Sequence, residues 1–230
     1  MSKISCTLWE NNTLHTLIIS GGTIDTDFAL DLLKKKKYDH IIGVDGALKF
    51  CKEQNIVPTR IVGDFDTLDP EILTWYQTHT QIEIRQFNPV KDATDTQIAI
   101  ELAMELGSRK ITLIGGTGTR LDHVLGNIQT LYLPFAKGID CRIVDAHNRI
   151  RLVSGELHLR KEEQWGKYVS LIPFTTDVEG VDLIGFKYPL EKFSFTVLGT
   201  GSRGVSNEIT EEEAVIHIEK GIMILVESKD

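Results

Sequence analysis

Two textures of apolar and polar positions divide the chain. Over the first 145 residues, short apolar runs alternate with stretches of helical period. The runs Leu14–Ser20, Ile41–Val44, Arg60–Val62, Ile82–Arg85, Ile111–Ile114 and Cys141–Val144 read as strands. Between them the pattern predicts helices over Asp27–Lys36, Ala47–Gln54, Pro70–Thr78, Asp95–Leu106 and Leu121–Ala136. In the fourth of these, Ile98, Leu102 and Leu106 recur every four residues with Ala99 and Ala103 beside them. Strand–helix alternation of this kind builds a mostly parallel sheet with helices on both faces.

Beyond Asp145 the helical period disappears. Short runs at Ile150–Val153, Tyr168–Ile172, Phe193–Val197, Ala214–Ile218 and Ile222–Val226 read as strands, and Gly155, Gly166, Pro173, Gly180, Gly185, Pro189 and Gly221 read as the turns between them. The expected architecture is therefore α/β: an N-terminal, mostly parallel three-layer α/β domain over residues 1–145, followed by a small antiparallel β-sandwich domain over 146–230. A length of 230 residues accommodates both.

Charge and cysteine usage narrow the class. Lys and Arg number 25 against 33 Asp and Glu, a net charge of −8, which disfavours a sequence-independent nucleic-acid binder and suits an enzyme that manages metal ions. Cys6, Cys51 and Cys141 form no close pair and no zinc spacing, so a reducing compartment fits. No apolar run is long enough to span a bilayer, and the first residues lack the apolar core of a signal peptide. The expectation is a cytoplasmic protein without membrane or nucleic-acid partners. The run Lys34–Lys37 reads as a solvated helix C-terminus, with cations set against the dipole.

Ligands of parallel α/β sheets bind beyond the carboxyl ends of the strands. Here each strand end delivers Gly, Asp or both: Ser20-Gly21-Gly22-Thr23, Asp45-Gly46-Ala47, Gly63-Asp64-Phe65-Asp66-Thr67, Lys91-Asp92-Ala93-Thr94-Asp95 and Gly115-Gly116-Thr117-Gly118-Thr119-Arg120-Leu121-Asp122-His123. If strand geometry persisted past Gly63, Asp64 and Asp66 would share a face. Two close carboxylates repel unless a cation lies between them, and an all-oxygen donor set favours a hard ion such as Mg²⁺. The alternative is an Asx-turn in which either Asp caps the next helix. Gly63 reads as room for a phosphate to approach the backbone. Asp92 and Asp95, three apart at a helix start, read either as caps or, with Lys91 beside them, as a polyphosphate site. The glycines after the fifth strand expose N–H groups that can cradle phosphate, and Arg120 can bind its oxygens bidentately. Asp122 reads as a ligand of metal or of a second substrate, and His123 alone as structural. The chain carries no Walker loop, and its one GxGxxG string, Gly199–Gly204, precedes further strands rather than a helix.

The ordered set Gly63-Asp64-Phe65-Asp66-Thr67, Asp92-Ala93-Thr94-Asp95, Gly115-Gly116 with Arg120-Leu121-Asp122-His123, Gly185-Phe186-Lys187-Tyr188-Pro189-Leu190 and Ser206-Asn207-Glu208 resembles the thiamine pyrophosphokinase family. The resemblance implies a homodimer with its site at the subunit interface. It implies transfer of the pyrophosphoryl group of ATP to the thiamine hydroxyl, giving thiamine diphosphate and AMP, with Mg²⁺ as cofactor. Carried over by position, Asp64, Asp66, Asp92 and Asp95 are the acidic cluster, with Mg²⁺ on Asp64, Asp66 and Asp95, and Arg120 and Asp122 complete the catalytic set. Gly116, Thr117 and Arg120 take the nucleotide phosphates, joined by the strand-end residues Gly22, Asp45, Gly63, Asp64, Thr67 and Lys91. Asp95, Asp122 and Asn127 lie near thiamine, with Tyr188, Ser206 and Asn207 supplied by the sandwich. Tyr188 stands where family members can carry Trp. Three other readings stay open: a pyrophosphokinase acting on a hydroxymethylpterin, a metal phosphoesterase using Asp122 and His123, and a non-catalytic nucleotide or thiamine sensor.

Overall fold

The computed structural model describes residues 13–66, 68–88 and 93–230. The chain divides into two compact units that meet at Cys141/Arg142.

In the first unit, β1 (His15–Ile19), β2 (His40–Val44), β3 (Arg60–Gly63), β4 (Glu83–Gln86) and β5 (Lys110–Ile114) form a parallel sheet in the order β5-β1-β2-β3-β4. Consecutive residues Leu17, Ile18 and Ile19 are all buried, as are Leu113 and Ile114, so both faces of the central strands are covered. The covering helices are α1 (Thr26–Lys35), α2 (Ala47–Glu53), α3 (Pro70–His79), α4 (Asp95–Glu105), α5 (Leu121–Thr130) and the short α6 (Tyr132–Phe135). Their starts follow from capping chemistry. Asp25 accepts from the Phe28 N–H at 2.8 Å, Asp69 from Glu71 at 2.9 Å ahead of Pro70, and Thr94 from Gln97 at 3.2 Å. Lys34 and Lys35 occupy the last turn of α1, as the charge run predicts. The single helix expected over Leu121–Ala136 is two. Pro134 has no N–H to give the Thr130 carbonyl, and the chain re-forms as α6 after Leu131.

The chain fills the sheet outward from β1 to β4, then crosses back to place β5 on the other side of β1. The β1/β5 junction is thus a switch point, where loops leaving the two strands diverge and open a crevice.

In the second unit, β6 (Asp140–Val144, entering from the first), β7 (Asn148–Arg160), β8 (Tyr168–Pro173), β9 (Asp177–Ile184), β10 (Leu190–Thr196), β11 (Asn207–Glu208) and β12 (Glu213–Ser228) pair antiparallel. β7 runs along the whole of β12. On its other side, β12 carries β9 with its first half and β8 with its second. The inward residues of both halves, among them Val169, Leu171, Val181, Phe195, Ile216 and Leu225, form one core. Three glycines expected as turns lie inside strands instead. Gly155 and Gly221, both at positive φ, flank the register shift between Ile218 and Met223, and Gly180 sits within β9. A bulge lets a long strand bend without ending, so the two runs expected at Ala214–Ile218 and Ile222–Val226 are one strand. The alternation of β9 is broken by that same glycine, which hid it from the pattern.

Candidate active site

Residues after four strands and at the starts of two helices line one cleft of about 730 Å³ in the first unit. Ser20–Thr23 come from the end of β1, Asp45 from β2, Asp64 and Asp66 from β3, and Thr94–Thr96 from the start of α4. Gly115–Thr117, Thr119 and Arg120 follow β5, and His123 and Asn127 come from α5. Local backbone conformation sets these positions. Asp45 adopts φ 42° and its N–H bonds the Val62 carbonyl at 2.9 Å, turning the chain over the end of β3. Phe65 adopts φ 61°, a costly conformation for a bulky residue. Its ring is buried with Leu48, Ile61, Leu68, Ile72 and Tyr76. With Phe65 driven into the core, Asp64 and Asp66 on either side converge, and the Asp66 N–H bonds Asp64 Oδ1 at 3.2 Å. Their shared face comes from this turn and not from a continuing strand, which ends at Gly63. The helix cap that either Asp could have supplied is made by Asp69.

Two of the acids expected to meet, Asp64 and Asp66, come together with a third, Asp45. Among the described residues, ligand oxygens of Asp45, Asp64 and Asp66 all lie within 4.8 Å of one another. Asp95, expected beside that pair, lines the same cleft but is outside the group of three. The sequence did not group Asp45 with that pair because it is distant along the chain and reaches it through the β2–β3 register. Thr67, Lys91 and Asp92 lie outside the described residues.

Gly63 is buried and is not among the described residues lining this cleft. A Cβ there would meet the Phe65 ring at 2.9 Å and the Asp45 Cα at 3.1 Å, so its smallness serves the packing of those two residues. Gly22 and Gly115 belong to a clasp between the loops after β1 and β5. The Gly22 N–H bonds the Gly115 carbonyl at 2.9 Å and the Thr23 N–H bonds the Thr117 carbonyl at 2.8 Å. Gly115 has φ 67°, and a Cβ there would collide with the Ser20 carbonyl oxygen. Asn127 is buried and donates Nδ2 to the Gly116 carbonyl at 2.8 Å, fastening α5 under the same loop. Arg120 is at the exposed rim, bound to Asp122 at 2.6 and 3.3 Å. That guanidinium holds the Asp122 carboxyl below the usual carboxylate range. Asp122 is not among the residues lining the cleft.

Tyr188, Ser206 and Asn207 meet in the second unit. The Tyr188 N–H bonds Asn207 Oδ1 at 3.0 Å, and Asn207 Nδ2 bonds the Tyr188 carbonyl at 2.8 Å. Ser206, exposed and at φ 60°, is anchored by its N–H to Ser170 Oγ at 2.9 Å. Ser20, in the expected strand-end stretch, and Thr96, which the sequence did not single out, are both buried at the cleft wall.

Comparison with known proteins agrees with the two units. The family profile described as "Thiamin pyrophosphokinase, catalytic domain" matches residues 25–143, and "Thiamin pyrophosphokinase, vitamin B1 binding domain" matches 154–223. The thiamine pyrophosphokinase of Bacillus subtilis (strain 168) is 34% identical over 195 residues, covering 82% of this chain and 87% of the relative. Thiamine pyrophosphokinase 1 of Oryza sativa subsp. japonica is 26% identical over 90% of this chain and 76% of its own. A crystal structure of the Bacillus subtilis protein superposes with a TM-score of 0.81 at 31% identity, over 94% of this chain and 99% of that one. Two profiles in register with two units, and identity of this extent across both, establish that the chain belongs to the thiamine pyrophosphokinase family, a family of enzymes.

Proposed function

We propose that the protein transfers the pyrophosphoryl group of ATP to the hydroxyl of thiamine, with Mg²⁺, releasing AMP. The observation that carries this reading is the meeting of Asp45, Asp64 and Asp66 with the Gly115–Arg120 loop in one cleft. Three carboxylates with no nitrogen or sulfur donor among them fit a hard divalent cation. Bound there, Mg²⁺ would neutralise charge on polyphosphate oxygens. The chain's own groups do the rest. The loop between β5 and α5 lies where N–H groups can face phosphate, and Arg120 can exchange Asp122 for phosphate oxygens, a bidentate match. Asp95, at the start of α4 in the same cleft, adds a fourth described carboxylate able to orient the thiamine hydroxyl or accept its proton. A cationic thiazolium suits these acidic surroundings. Tyr188 offers a flat exposed ring for it or for the pyrimidine, and Ser206 an exposed hydroxyl in the segment that bonds the Tyr188 backbone.

Purified protein incubated with ATP, Mg²⁺ and either thiamine or a hydroxymethylpterin, read by mass spectrometry, tests the reaction. AMP with thiamine diphosphate is expected. ADP, phosphate without acceptor, or a pterin product overturns the reading. A phosphoesterase would want further histidines, and His123 is the one His among the described residues lining the cleft.

The working form in this reading is a cytoplasmic homodimer, with thiamine held at the subunit interface. Exposed Leu121, Leu125 and Tyr132 on α5 and α6 support a self-association surface, and buried free Cys51 and Cys141 suit a reducing compartment. No described helix is long and apolar enough to cross a membrane. Mixing an Asp66→Asn chain with a Tyr188→Ala chain checks the shared site. Activity should return in the heterodimer, and its absence with heterodimer confirmed would place Tyr188 in the same subunit's site or outside it.

A further inference from the structure

Asn207 falls in the loop assigned to thiamine, yet its side chain is already engaged. The segments around Tyr188 and Asn207 run antiparallel: Phe186 bridges Ile209, and the Lys187 N–H bonds the Glu208 carbonyl at 2.9 Å. At Tyr188 the backbone ladder stops and the Asn207 carboxamide replaces the next rung. Its Oδ1 accepts from the Tyr188 N–H at 3.0 Å and from the Glu208 N–H at 2.9 Å, and its Nδ2 donates to the Tyr188 carbonyl at 2.8 Å. Reversing the amide would set its NH₂ against two N–H donors, so the network fixes its orientation. An amide side chain has two acceptor positions and two donor hydrogens. Here both acceptor positions and one hydrogen are used, and the residue is 7% exposed.

Tyr188 is the opposite case. Its backbone is clamped on both sides by Asn207, and Pro189 after it restricts the backbone to extended conformations. The residue is nevertheless 60% exposed. Lys187, whose Nζ lies 5.6 Å from the Tyr188 ring centroid, is itself tied to Glu208 at 2.9 Å. The hydrogen bonds at this junction act on the backbone of Tyr188 or on its neighbours, and the residue stays exposed.

We infer that Asn207 is a positioning residue for thiamine binding. It acts through Tyr188 by locking that residue's backbone, and it makes no contact with thiamine. This rests on the reading of Tyr188 as a thiamine contact. A ring held in place before binding loses less freedom on binding, so the lock is expressed in the affinity of the substrate that meets the ring.

A double-mutant cycle on the full-length enzyme tests it, with kcat and the KM values for thiamine and ATP measured for wild type, Tyr188→Ala, Asn207→Asp and the double variant. Aspartate keeps the acceptor but turns an anion toward the Tyr188 carbonyl. The expected result is a rise in thiamine KM of roughly tenfold, in line with one buried hydrogen bond lost and a repulsion gained. ATP KM should stay within about twofold, since a loss of this size is local. The double variant should match Tyr188→Ala alone. Fold-changes that multiply in the double variant would mean that Asn207 reaches thiamine itself, and would overturn the inference. So would an unchanged thiamine KM in Asn207→Asp, or an equal rise in both KM values. An unchanged thiamine KM in Tyr188→Ala would refute the reading of Tyr188 and the inference with it, a result distinct from multiplying effects. Should Asn207→Asp fail to fold, the wild-type protein still decides: nuclear Overhauser contacts from thiamine are expected to the Tyr188 ring and not to the Asn207 side-chain amide. Contacts to that amide overturn the inference.

Discussion

Ser20 Oγ and Thr96 Oγ1 lie 2.7 Å apart, both buried, joining the end of β1 to the first turn of α4. The pair spans the wall of the cleft. On one side of it Gly22 and Thr23 clasp the loop after β5, and on the other Asp95 precedes Thr96. Replacing Thr96 by Val keeps the shape and leaves the Ser20 hydroxyl buried without this partner. A loss of about 1–3 kcal/mol in unfolding free energy is expected, measured by urea denaturation. Adding Ser20→Ala to Thr96→Val should recover part of it, because no stranded hydroxyl remains. A double variant as unstable as the sum of the singles would mean that the two side chains are not coupled.

The carboxylate group makes a ranked prediction. Asp45→Asn and Asp66→Asn should each lower turnover by roughly a hundredfold or more, while circular dichroism and melting temperature stay near wild type. Asp95→Asn, outside the three-acid group, should leave the Mg²⁺ concentration for half-maximal activity less altered than Asp45→Asn does. The opposite order would restore Asp95 as the metal ligand. Near-normal turnover in Asp66→Asn would return the turn to a purely structural role.

These residues also mark how far the sequence could be read. The alternation of apolar runs and helical period located all five parallel strands of the first unit, because buried strands are nearly continuous in Val, Ile and Leu. It also pointed to the strand ends, since a parallel sheet gathers them on one edge. It did not reveal which acids meet. Asp45 reaches Asp64 and Asp66 through the pairing of Val44 with Val62 and through two left-handed residues, Asp45, a residue type that visits that conformation, and Phe65, one that seldom does. In the second unit, glycines that bend strands look the same in sequence as glycines that end them. Gly155 therefore cut the reading of β7 short, Gly180 hid β9 and Gly221 split β12 in two. The short β11 has two residues, too few for any period, and exists through its pairing with β8.

Glu227 is 1% exposed and is gripped by Arg149 through Nε at 2.6 Å and Nη2 at 2.5 Å, with the Trp165 N–H also directed at it at 3.4 Å. The pair links β7 to β12 across a residue pair of the ladder. Removing one partner strands the other in the interior, so Glu227→Ala should cost about 3–5 kcal/mol in denaturant unfolding. Replacing both by apolar residues of similar size, Arg149→Met with Glu227→Leu, should recover most of that loss. A mild effect of Glu227→Ala would mean that water reaches Arg149 readily.

His15 gives the pH dependence. It opens β1 with its ring edge-on to Tyr38 at 4.6 Å and Nε2 2.8 Å from Thr112 Oγ1. Burial pulls its imidazole from 6.5 down to about 4, assisted by the positive charges of Lys36 and Lys110 and opposed by Asp140 and Asp39. The folded protein therefore holds His15 neutral in a range where the unfolded chain protonates it. The unfolded state then binds more protons, and stability falls as the pH drops from about 6.5 to about 4, the contribution being fully present above that window. Urea midpoints measured at intervals between pH 7 and pH 4 should decline for wild type. His15→Gln removes the titrating group and keeps a side chain able to bond Thr112, so its midpoints should decline less steeply over the same interval. Parallel curves for the two proteins would assign the acid sensitivity to other groups and return His15 to a residue whose charge state is the same folded and unfolded.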